Sequence, residues 1–107
     1  MRKAVFLSFD LGVRGDYEGL YRWLDAQGAR ECGDSVAFFN FESKQDLLSD
    51  VRKSLQKSIE ITPKTRIYLI YRDGSKIKGQ FLFGQRKAPA WTGYAPPKTG
   101  EKDEDVA

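Results

Sequence analysis

Asp10 is the residue whose position most invites chemistry. It closes the run Ala4-Val5-Phe6-Leu7-Ser8-Phe9, then gives way to a loop flanked by Gly12 and Gly15. Apolar, β-favouring residues on both faces of 4–9 describe a strand in the middle of a sheet, and Asp10 stands where that strand leaves the core. A carboxylate there can reach a shared site; it can equally order the turn, since Asp is a common turn residue. Two Asp10 side chains meeting across a two-fold axis would share a proton or a hard cation such as Mg²⁺. Asp16, Asp34 and Ser35 are its supporting candidates, with Arg14 and Arg66 expected at the same end of the sheet.

Much other chemistry is excluded by composition. The chain has no histidine, which removes Ser/His/Asp and Cys/His nucleophiles, His-based acid catalysis and nearly all zinc sites. The single cysteine, Cys32, forbids an internal disulfide, fits a reducing cytoplasm and has no histidine to activate it. The 107 residues suffice for one domain with its own core. No apolar stretch approaches the roughly 18 residues of a membrane span, and Met1-Arg2-Lys3 with a short, interrupted apolar run lacks the pattern of a secretion signal. The expected location is therefore the cytoplasm, with no membrane partner.

Charge divides unevenly. Net charge is +3 overall, but residues 98–107 carry −2, so residues 1–97 hold +5. A basic body favours polyanions. Arg14, Arg30, Arg72, Lys76, Lys78, Arg86 and Lys87 are the candidate phosphate contacts, positioning a nucleic acid without reading its sequence.

The elements that must hold these residues follow from periodicity. Asp16 can cap a helix running to about Gln27, with Tyr17, Leu20, Tyr21 and Leu24 as its core stripe, Trp23 at its edge and Gly28 as its stop. Residues 29–32 suit an edge strand, and 35–41 a central one. Ser43, with Asp46 three residues on, opens a second helix whose buried stripe is Leu47, Leu48, Val51, Leu55 and Ile59. Lys44, Arg52, Lys53 and Lys57 fall on its solvated side, and Thr62-Pro63 ends it. Strand 66–72 turns at Asp73-Gly74 into strand 77–84, where Ile77, Gly79, Phe81 and Phe83 alternate with polar residues.

The order β-α-β-β-α-β with one additional C-terminal strand predicts an α+β, ferredoxin-like domain over 1–84. Its antiparallel sheet has the order 4-1-3-2 and both helices on one face. Residues 85–97, with Trp91 and Pro96-Pro97, read as an extended arm able to dock on a larger protein, and 98–107 as a disordered acidic tail. A sheet apolar on both sides leaves a patch on its open face, so a homodimer is expected, closed through that face with strand 77–84 added to the partner's edge. The aromatics fall mainly on apolar faces and read as core. Phe38-Phe39-Asn40-Phe41 lacks the Gly-Phe pattern of RNA-stacking sheets.

Over residues 3–84, Phe9-Asp10-Leu11, a helix with Leu20 and Leu24, Gly28-Ala29-Arg30 and Asp34-Ser35-Val36-Ala37-Phe38-Phe39 resemble CRISPR-associated protein two. That family is the small ferredoxin-like dimer of spacer acquisition, and the chain is also similar to virulence-associated protein D toxins. The resemblance implies that Asp10 is the strand-one carboxylate credited in some members with Mg²⁺-dependent nuclease activity. It equally implies a DNA-bridging scaffold in which that activity is dispensable. The expected function is thus a homodimeric protein acting on or around DNA or RNA. A non-enzymatic interaction module and a toxin-type ribonuclease are the alternatives.

Overall fold

The computed structural model describes residues 1–97; the acidic segment 98–107 lies outside the described residues. Five strands and two helices follow one another as β1 (Arg2–Asp10), α1 (Tyr17–Ala26), β2 (Arg30–Glu31), β3 (Val36–Glu42), α2 (Leu47–Ser58), β4 (Arg66–Asp73) and β5 (Lys76–Phe83). All neighbouring strands are antiparallel, in the order β2-β3-β1-β4-β5. The first four strands read 4-1-3-2 from the other edge. The fifth, on the outer side of β4, departs from a four-stranded ferredoxin-like sheet. The fold is α+β and compatible with that class.

Alternation along β1 decides the layering. Val5, Leu7 and Phe9 are buried, with Phe39 and Phe41 of β3 and Ile67 and Leu69 of β4, against Leu20, Trp23 and Leu24 of α1 and Val51 and Leu55 of α2. Both helices therefore cover one face. The intervening residues, Ala4, Phe6, Ser8 and Asp10, point to the other face, which the helices leave open, and Phe6 remains 42% exposed. No helix among the described residues is long and apolar enough to cross a membrane.

Helix ends follow their chemistry, with one correction. Asp16 caps α1 by accepting from Gly19 N at 2.9 Å. Gly28, at φ 69°, closes the helix: Gly28 N donates to Asp25 O and Ala29 N to Leu24 O, both at 3.0 Å, the paired bonds of a left-handed glycine stop. The cap of α2 is Asp46, which accepts from Ser49 N at 2.9 Å, rather than Ser43. Ser43 is buried and donates to Asp50 Oδ2 at 3.0 Å. Asp50 also accepts from Lys44 N and Gln45 N, so the expected capping position instead anchors the approach to the helix.

Four further expectations shift. Trp23 is 4% exposed instead of lying at the edge of α1, and its indole N–H donates to Ser54 Oγ at 2.8 Å, tying α1 to α2. Tyr21, expected in the core stripe, is 56% exposed. Arg52 is not purely solvated, since its Nε donates to Leu82 O at 3.0 Å and pins α2 to β5. A register irregularity in β5 carries Phe83 opposite Ile67, so Phe83 packs against the core instead of sharing a face with Phe81.

Candidate functional site

Because side chains alternate, cross-strand partners share a face. Asp10 is in register with Arg66, and Ser8 with both Val36 and Tyr68; Tyr68 is in turn opposite Phe81. One row further along, Phe6 lies between Phe38 and Ile70. Arg30 stands beyond Phe38 and Gly79 beyond Ile70, giving a row that crosses all five strands. The open face thus carries Phe6, Phe38, Tyr68 and Phe81, although the aromatics as a group read mainly as core in the sequence. Apolar residues on both sides of a strand do not disclose which side the helices will cover.

At the Asp10 end these residues frame a shallow concavity of about 290 Å³ lined by Ser8, Asp10, Arg66, Tyr68, Phe81 and Arg86. Asp10 Oδ1 accepts from Gly12 N at 3.0 Å, so the plain turn-ordering role is real. Its other oxygen lies 3.7 Å from Arg66 Nη1, and the carboxylate stays about half exposed. Arg66 is held on two further sides: its Nε donates to Gln85 O at 3.2 Å, and its guanidinium sits 5.5 Å from the Phe81 ring centre. The Arg86 guanidinium lies 5.9 Å from the centres of both Tyr68 and Phe81, whose rings meet edge-on at 4.7 Å. Gly79 makes room for this arrangement. A Cβ there would fall 2.3 Å from the Tyr68 hydroxyl, so only glycine lets the ring lie across β5.

The other candidate residues disperse. Asp16 accepts from Glu60 N as well as Gly19 N, both at 2.9 Å, and these backbone donors hold its carboxyl below the ordinary value. It is a joint between α1 and the segment after α2, turned to structure and not to the Asp10 concavity. Ser35, at φ 67°, accepts from Phe9 N at 3.0 Å through its carbonyl. With Asp34 it lines a separate hollow bordered by Tyr21, Leu24 and Arg30. Arg14 lies beside Leu11, Pro63 and Lys64. Of the proposed phosphate contacts, Arg30 and Arg72 share the open face, and Arg86 reaches it from beyond β5. Lys76 and Lys78 pair with Asp73 and Tyr71 on the helix side. Lys78 donates to Asp73 Oδ2 at 2.7 Å, lowering that carboxyl and raising its own value. Lys87 is exposed in the arm, as are Trp91 and Tyr94.

This donor set suits an anion better than a cation. One carboxylate flanked by two guanidiniums offers Mg²⁺ a single negative ligand and two positive neighbours. Among the described residues no three Asp, Glu or Cys side chains come together as a metal site. Arg66 and Arg86, by contrast, present planar donors with aromatic backing, the form in which arginine binds phosphate. No protein-family model, curated protein or solved structure matches the chain.

Proposed function

We propose that this chain is a nucleic-acid-binding protein, a ferredoxin-like homodimer related to the CRISPR-associated family it resembles and acting as a scaffold in the cytoplasm. The observation that carries the reading is the Asp10 end of the open face, where Arg66 and Arg86 lie stacked on Tyr68 and Phe81. Guanidiniums held against rings lose little freedom on engaging a phosphate, and the +5 charge of residues 1–97 adds long-range attraction.

The homodimer rests on β5, an edge strand along which Lys76–Gln80 are exposed and which can extend a second sheet. Binding is favoured over cleavage because one chain's donors do not fit Mg²⁺; metal-dependent cleavage of DNA, or of RNA in the manner of a toxin, would need further acidic ligands from a second copy. A second reading, docking on a larger protein through residues 85–97, is favoured by the exposure of Trp91 and Tyr94.

The test is fluorescence anisotropy of the purified chain with duplex DNA and with single-stranded RNA, titrated with salt in the presence of Mg²⁺. Binding should weaken steeply, with a log–log slope of roughly −0.7 to −0.9 per phosphate contacted. Arg86→Ala should weaken it further. Asp10→Ala should leave binding intact, since it removes a negative charge from the rim, and should abolish any cleavage. Flat traces at low salt would refute the nucleic-acid reading and turn attention to the arm.

A further inference from the structure

The open face has a composition that phosphate binding alone does not require. Phe6 and Phe38 form one ring pair, 5.0 Å between centres, and Tyr68 and Phe81 form another. They belong to adjacent cross-strand rows, two residues and so about 7 Å apart along the strands. Around this apolar centre stand Arg30 at the β2 edge, Arg72 towards the far end of β4, and Arg66 and Arg86 at the Asp10 end. Among the described residues, the two carboxylates on the face are already engaged, Asp10 by Arg66 and Glu42 by the N-terminal ammonium at 2.6 Å.

Resting on the nucleic-acid reading above, we infer that this face is a platform for single-stranded nucleic acid, with bases on the Phe6/Phe38 pair and phosphates on the arginine rim, Arg66 and Arg86 keeping their places on Tyr68 and Phe81. A duplex keeps its base faces stacked inside and offers aromatic side chains only edges. Unpaired bases can lie flat on rings spaced along a sheet, each contact giving roughly 1–3 kcal/mol by alanine substitution. Charge separates this occupant from a second copy of the chain. A copy laid face to face would bring one arginine rim against another, whereas a polyanion neutralises it. The free edge of β5 leaves self-association possible without covering the face.

The experiment compares a fluorescein-labelled oligouridylate, an oligothymidylate of the same length and the duplex of the latter with its complement, at one salt concentration. Binding to the full chain is set beside binding to Phe6→Ala and Phe38→Ala. Phe6 is half exposed, so its variant should melt like the parent and decides the matter if Phe38→Ala folds poorly. Single strands should bind more tightly than the duplex, and each substitution should cost about tenfold on single strands and little on the duplex. Equal affinities unaffected by either substitution would overturn the platform while leaving a phosphate-binding protein. Absence of binding to all three probes would overturn both readings. A dimer that light scattering shows to dissociate on Phe6→Ala, with oligonucleotide affinity unchanged, would assign the face to a second copy instead.

Discussion

At the scale of single residues, the acidic side chains divide by what holds them. Asp10 was legible as the carboxylate at the end of the first strand, and its register partner Arg66 followed from placing strands one and four side by side. Asp16 and Asp34 were not separable from it in the sequence, because their neighbours come from elsewhere; Asp16 is claimed by Glu60, forty-four residues on. Asp16 and Asp50 both accept two backbone N–H bonds, which lower their carboxyls from the ordinary 3.8. The folded chain therefore holds these protons less tightly than the unfolded one. Their contribution to stability is complete above the ordinary carboxylate range and is lost as pH falls through their lowered folded values. Asp16→Asn should keep a capping oxygen yet flatten the acid limb of a stability–pH curve measured by urea unfolding. Both variants should lower the melting temperature at neutral pH, where the carboxylate's contribution is complete, and Asp16→Ala, which also loses the cap, should lower it more, by several degrees.

Among the elements, periodicity revealed the strands and the existence of both helices, and failed where a long-range contact chose the rotation. Tyr17, Leu20, Tyr21 and Leu24 satisfy helical spacing, but so does the stripe through Leu20, Trp23 and Leu24 that the core selects. The choice falls to the second because Trp23 finds both Phe39, at 5.4 Å between ring centres, and the Ser54 hydroxyl. Replacing Trp23 with Phe should keep most of the packing and lose the helix-to-helix bond. The expected loss is about 1–2 kcal/mol in urea unfolding, with an unchanged denaturant slope. In β5 the signal was a glycine in a strand, which marks a close approach, though not by which ring. Gly79→Val should drive the Tyr68 ring off the strand at roughly 1–3 kcal/mol and strip Arg86 of its stacking partner. Near-UV circular dichroism would register the ring's displacement, and oligonucleotide affinity should fall with it.

For the whole molecule, the consequential asymmetry is between the two faces of one sheet. The helices bury one face, while the other gathers four aromatic rings inside an arginine border. Half of that description was within reach of the sequence, which shows an apolar sheet and a basic body. The other half depends on which alternate residues the helices cover, and that is decided by Leu20, Trp23, Val51 and Leu55 packing on Val5, Leu7 and Phe9 instead of on Phe6 and Ser8. The most direct test of the account is to titrate the isotope-labelled full chain with an oligouridylate and follow its backbone amide NMR shifts. Perturbations should concentrate at Phe6, Ser8, Phe38, Tyr68, Phe81 and Arg86, with the solvent sides of α1 and α2 silent. Shifts confined to the helices or to residues 87–97, with the open face unmoved, would contradict it.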